Sequence, residues 1–278
     1  MIIPSKEEYK DHLFKYSQYA KSASFVDWCS GIVKHRARRI VTLVSDYKPK
    51  SAKVLDLGCG IGLTMHILAQ EFKNCIGCDL TDESIVATKA LLSKVGLQNR
   101  VIKYDGKRLP FAANSFDVIL SLEVVEHAEK PELMLKEISR VLKRDGILII
   151  TAPNKWWPYE THYKLLFLSY LPHQLADLYV RLSGRGRDYD NINSPTYRRF
   201  KKTIEKFFIT EDLTLKIVRE YKRFSLDIER GTKIVFVAKL LLILKSLEAT
   251  PFFFLSDAIY WMLVRVSPGW AFLGRPKK

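Results

Sequence analysis

Apolar positions along the chain fall into two rhythms. Short runs bounded by Gly, Asp or Pro read as buried strands at residues 54–57, 74–80, 100–104 and 115–119. A fifth run follows, at 147–150, after a polar turn at 143–146. Between and around them, apolar residues recur at the spacing of one helix face over residues 25–44, 131–142 and 174–182. Ser194 and Pro195 suit the cap and first position of a helix running to about residue 206, and residues 213–221 alternate as a sixth strand would. Beyond them lie two long apolar stretches, 234–247 interrupted by Lys239 and Lys245, and 251–266 interrupted by Asp257 and Arg265. Neither reaches the roughly 18 uncharged residues of a spanning helix, so an interfacial or re-entrant hairpin is the membrane form they would allow.

The first strand runs directly into glycine. Residues 54–62 read V-L-D-L-G-C-G-I-G, and Gly58, Gly60 and Gly62 let the turn bring its backbone against a ligand that a Cβ would hold off. The dinucleotide pattern G-x-G-x-x-G is not completed, because Leu63 stands three residues after Gly60, and this argues against a nicotinamide cofactor. Asp79 closes the second strand, 19 residues after Gly60, where a carboxylate can take both hydroxyls of a ribose.

Further signals follow in order. Asp105-Gly106 closes the third strand, Leu109-Pro110-Phe111 leads into Ser115-Phe116-Asp117-Val118-Ile119, and Glu123-Val124-Val125-Glu126-His127 follows the fourth. On these motifs residues 50–155 resemble the class I S-adenosylmethionine (SAM) methyltransferases, in particular those of ubiquinone and menaquinone biosynthesis. The resemblance implies a Rossmann-like α/β fold with a seven-stranded sheet, closed by an antiparallel strand at residues 267–277. Helical insertions would then follow strand five and separate strands six and seven. The chain would divide into N-terminal helices (1–50), a SAM-binding core (51–152), and acceptor- or membrane-facing insertions with the C-terminal strands (153–278). SAM would be held by Asp56, Gly58, Cys59, Gly60, Gly62, Asp79, Leu80, Asp105, Gly106 and Leu122, with Asp105 meeting the adenine amino group.

The segment E-V-V-E-H resembles the E-x-x-E-H of ubiquinone O-methyltransferases, which implies Mg²⁺ or a similar ion at Glu123, Glu126 and His127, polarising a catechol-like acceptor. Related methyltransferases without a metal share E-H here, and His127 would then bond locally beside solvated glutamates. Because SAM carries an activated methyl group, the protein's main task is alignment, with a base needed for a hydroxyl acceptor. His127 and His162 are the candidates for that base, with Glu123, Glu126 and Tyr159 as helpers.

Charge places the acceptor. The net charge is +15, and residues 1–150 carry 23 Lys and Arg against 18 Asp and Glu, whereas residues 151–278 carry 22 against 12. The basic half is also the half with Trp156-Trp157-Pro158-Tyr159 and L-L-F-L-S-Y-L-P at 165–172, which points to an anionic membrane surface and a hydrophobic or lipid-linked acceptor. Packing of the same stripes as extra core is the competing reading. Charge alone also admits nucleic acid. However, no N-P-P-Y or D-P-P-Y follows the fourth strand, where Ser121-Leu122-Glu123-Val124 stands. A non-catalytic relative is opposed by the intact glycine turn, Asp79 and Asp105. Residues 1–9 hold Lys6, Glu7 and Glu8 with no apolar leader, so the expectation is a cytoplasmic protein, peripheral on the inner face of the membrane. Cys75 and Cys78 fall inside the second strand and read as small buried residues, not as half of a zinc site. His66 reads as an ordinary helix residue, and Lys34, His35, Arg36, Arg38 and Arg39 as a basic face, either solvated or anion-binding.

Overall fold

The computed structural model describes residues 2–17, 23–160, 162–189, 192–230, 235, 237–239, 253–265 and 267–277. Five strands, β1 (Lys53–Leu57), β2 (Asn74–Asp79), β3 (Val101–Lys103), β4 (Phe116–Leu122) and β5 (Leu142–Pro153), pair in parallel. A hairpin of two short strands, β6 (Tyr159–Glu160) and β7 (Leu165–Leu166), stands apart from the sheet. Strand β8 (Phe208–Asp212) forms one edge, and β9 (Gly269–Pro276) runs antiparallel between it and β5. The seven strands of the main sheet lie in the order β3-β2-β1-β4-β5-β9-β8.

Side-chain alternation splits the core into two layers. Val54, Ile147 and Ile149 face one layer, packed beneath α2 (Ala23–Ser45), α3 (Leu63–Glu71) and α4 (Asp82–Ser93), whereas Leu55, Leu148 and Ile150 face the other, beneath α5 (Pro131–Val141) and α7 (Tyr197–Ile204). Near-continuous apolar runs at β1, β4 and β5 are what a sheet covered on both faces requires. Cys75 and Cys78 are buried free thiols in β2, as their place in the strand predicts.

Strand order reverses between β1 and β4, the point where a parallel sheet opens a crevice at its carboxyl edge. The chain leaves β1 there as the glycine turn and leaves β4 there as Glu123 to His127. Pro153 at the end of β5 pairs with Gly269 at the start of β9, so the segments on either side also meet this edge. Asn154 ties them together: its Nδ2 donates to the carbonyls of Arg265 (2.7 Å) and Ser267 (2.8 Å). The helix ending at Arg265 spans Phe253–Arg265, within the second apolar stretch, whereas the first stretch, 234–247, lies largely outside the described residues.

Two sequence expectations are corrected. The sixth strand is Phe208–Asp212, and residues 213–221 instead hold a short helix, Thr214–Arg219. Leu213 and Ile217, both buried, are as compatible with a helical i, i+4 stripe as with alternation, and Asp212 Oδ1 accepts from Thr214 N–H at 2.8 Å to start the turn. The helix expected from Ser194 begins two residues later, with Thr196 as its cap, its side chain accepting from Arg199 N–H. The polar turn at 143–146 persists as a register shift, Phe116 pairing with Leu142 and Val118 with Ile147. No helix among the described residues is long and apolar enough to cross a membrane.

Candidate active site

Gly58, Gly60 and Gly62 adopt φ of +73°, +55° and +85°, a left-handed succession that side-chain-bearing residues resist. A Cβ on Gly58 would lie 2.4 Å from Val124 Cγ2, and one on Gly62 would lie 2.9 Å from the Thr88 backbone, so both positions are closed by neighbours. At Gly60 nothing stands within 4 Å, so its open side faces the crevice. The turn is held from behind, with Gly58 N–H donating to Cys78 O (2.7 Å), Gly60 N–H to Asp79 Oδ2 (2.8 Å) and Thr88 Oγ1 to Gly60 O (2.8 Å). Asp79 Oδ1 accepts from Leu80 N–H (2.8 Å) and Thr81 N–H (3.3 Å), which presents its carboxylate at the end of β2.

The surface beyond Asp79 is open and partly apolar. Leu80 is 48% exposed, and Gly106, at φ +76°, leaves room for the Leu80 side chain, which a Cβ there would approach to 3.1 Å. Asp105 Oδ1 accepts from Arg108 and Lys107 N–H, and these bonds hold its carboxyl below the usual range. Beneath the turn, Asp56 is buried and its Oδ2 has no hydrogen-bond partner; burial, with the charge of Asp79 behind it, pushes the carboxyl up to about 7. An orphaned buried oxygen below an open glycine cradle, facing a ribose-type carboxylate, fits a ligand with a cationic end and a nucleoside end, which is the chemistry of SAM.

Sequence reasoning missed the cover of this turn. Helix α1 (Lys6–Tyr16) places His12 Nε2 2.8 Å from the Ile61 carbonyl, with Tyr9 and Leu13 buried beside it. His66, fully buried in α3, engages the Ile2 carbonyl at 3.0 Å, the structural role its helix position suggested. Of the basic face on α2, Arg39 is committed to Phe224 O and to Glu229 (2.7 Å), and Arg36 lies 3.5 Å from Glu123.

Val124 Cγ2 fills the space a Gly58 Cβ would take, and the residues that follow it are those the sequence offered for the acceptor. Glu126 is fully buried and neither carboxylate oxygen has a hydrogen-bond partner; burial, reinforced by Glu123, pushes it up to about 8. Donor atoms of Glu126, His127 and His162 all lie within 4.8 Å of one another, and the two imidazole rings meet edge to face with centroids 5.6 Å apart. Asn193 N–H donates to Glu126 O (2.7 Å), tying the segment after β5 to this loop.

The set implied for Mg²⁺ is therefore rearranged. Glu123, at φ +57°, turns its carboxylate to Arg36, and His162 takes its place in the cluster. Two imidazoles and one carboxyl do not match the all-oxygen octahedral shell that Mg²⁺ demands, so no step is assigned to that ion. Tyr159 is also displaced from the expected role. It is exposed on β6, whereas Glu160, on the opposite face of the same strand, is buried and pairs with His162 Nδ1 at 2.7 Å. The spacing E-x-H within an aromatic segment was the available signal for Glu160.

A family profile described as a methyltransferase domain matches residues 55–150. A ubiquinone biosynthesis O-methyltransferase from Pelagibacter ubique is 33% identical over 168 residues, 54% of this chain and 68% of its own length. A norajmaline N-methyltransferase from Rauvolfia serpentina is 29% identical over 42% of the chain, and the chain spans only 41% of that relative's length. Among solved structures, the [4+2]-cyclase SpnF shares the fold, with a TM-score of 0.50 at 16% identity over 86% of this chain and 81% of that one.

Proposed function

The chain belongs to the class I SAM-dependent methyltransferases, and from that premise we propose that it methylates a hydroxyl oxygen on a hydrophobic, quinone-precursor-like or lipid-linked acceptor at a membrane surface. The loop after β4 supports this reading: its Val124 packs where a Gly58 Cβ would lie, and Glu126 and His127, next along it, gather with His162 into one cluster of a buried carboxyl and two imidazoles. Bound SAM supplies a sulfonium-activated methyl group. The chain's own residues then have three tasks: Asp79, Leu80 and Asp105 hold the nucleoside end, Asp56 and the glycine turn orient the other end, and an imidazole of the His127–His162 pair takes the hydroxyl proton. The ubiquinone-type relative supports an O-linked, apolar acceptor, and the N-methyltransferase relative makes nitrogen the competing atom.

Membrane contact is supported by the outer surface of residues 155–182. Trp156, Leu166 and Phe167 are each more than half exposed and Leu182 is 79% exposed, in a segment that also carries Lys155, Lys164 and Arg181. Trp261, 60% exposed on the helix before β9, adds an aromatic with the Arg265 guanidinium 3.6 Å from its ring. Incubation with methyl-labelled SAM and a lipid extract tests the whole reading: label should move into an organic-soluble product, and recovery of label only in protein or nucleic acid would reject it.

A further inference from the structure

We propose that Glu160 is the positioning residue of the acceptor site, holding His162 with Nδ1–H toward its carboxylate so that Nε2 is the atom that takes the acceptor proton. This rests on the methyl-transfer reading above. Glu160 is 4% exposed, and both its oxygens are engaged: Oε1 pairs with His162 Nδ1 at 2.7 Å and Oε2 accepts from Tyr163 N–H at 2.7 Å. A carboxylate held at both ends cannot swing away, and a buried one keeps its charge best by accepting such bonds. The β6–β7 hairpin that carries the pair is fixed in turn, with Lys164 and Phe167 at positive φ, Tyr163 Oη donating to Asp188 O (2.9 Å), and Asn193 clamped to the Glu126 carbonyl.

The orienting carboxylate distinguishes His162 from His127. A base whose second nitrogen is fixed by a carboxylate has its tautomer chosen before the acceptor arrives, and the edge-on His127 ring, at 83° to that of His162, fixes the plane. Among the described residues, the titratable groups that act on His162 include Glu160 from β6 and Glu123, Glu126 and His127 from the loop after β4. Burial pulls the imidazole down, but the Glu160 bond and charge, with Glu123 and Glu126 added, outweigh it and the net direction is upward. In the reaction the acceptor oxygen forms its bond to the methyl carbon as the carbon–sulfur bond breaks. The hydroxyl proton passes to His162 Nε2 and later to water, and Glu160 keeps its bond to Nδ1–H throughout.

Long-range ¹H–¹⁵N NMR on histidine-labelled, chelator-treated full-length protein tests the pair without any acceptor. Neutral His162 should be the Nδ1–H tautomer. In Glu160→Gln the neutral ring should no longer be held as a single tautomer, and methylation of 4-methylcatechol in lipid vesicles should slow. kcat should fall roughly 10- to 100-fold, with SAM affinity unchanged by calorimetry. An Nε2–H tautomer in the wild type, measurable whatever the variant's folding, would overturn the proposal. So would an unchanged kcat in folded Glu160→Gln. If the wild type binds SAM but labels neither this catechol nor lipid extract, the methyl-transfer reading fails, and the base role falls with it even where the tautomer is as stated.

Discussion

Gly58 is doubly constrained, by φ +73° and by a virtual Cβ 2.4 Å from Val124, so the two costs can be separated. Gly58→Ala should lose about 1–2 kcal/mol to the left-handed backbone and a further ~1–3 kcal/mol to overpacking. Adding Val124→Ala should return only the second part, as read by chemical denaturation. Asp79→Ala removes the proposed ribose acceptor together with the anchor of Gly60 N–H, and SAM affinity should fall by about 1.5–3 kcal/mol; unchanged calorimetric affinity in a folded variant would refute the assignment. Glu126 gives a pH signature. Its folded value, about 8, lies above the ordinary 4.5, so the native state retains a proton that the unfolded chain releases, and stability falls as pH rises between those values. Glu126→Gln should therefore match the wild type near the lower end of that window and exceed it by up to a few kcal/mol at the upper end, in melts run across the range.

At the scale of elements, α6 (His173–Leu182) buries Ala176 and Val180 and exposes Leu175, Leu178 and Leu182. Replacing those three leucines with serine should leave the melting temperature almost unchanged, because surface substitutions usually cost within ±0.5 kcal/mol. The same change should cut co-sedimentation with anionic vesicles several-fold, including the part that survives high salt. Unaltered sedimentation would assign that helix face to another partner. The glycine turn and Asp79 were legible because they belong to one local strand–turn–helix–strand unit whose spacing is written in consecutive residues. The β8 edge was not: residues 208–212 alternate only weakly, and the stronger apolar spacing after them belongs to a helix stripe. The acceptor cluster was half legible, since His127 and His162 stood out as residue types. The exchange of Glu123 for His162, and the pairing with Glu160, depend on how the segment after β5 folds back onto the loop after β4. Likewise, nothing local in α1 announces that His12 will reach Ile61.

Across the whole molecule, the glycine turn, the loop that carries Glu126 and His127, and the chain that leads to the exposed aromatic segments meet one edge of the sheet. The parallel strands deliver their loops there, and antiparallel β9 brings the chain back to it at the Pro153–Gly269 pairing. The excess of basic residues in 151–278 falls in the half that supplies those segments, so attraction to anionic lipid and access for an apolar acceptor would act on the same face. The most direct test supplies methyl-labelled SAM with anionic vesicles containing a lipid-soluble catechol and follows label into the organic phase. Labelled methyl ether is expected from the wild type, and little or none from His162→Gln despite intact SAM binding. Equal product from the wild type and that variant would contradict it, as would SAM binding with no transfer at all.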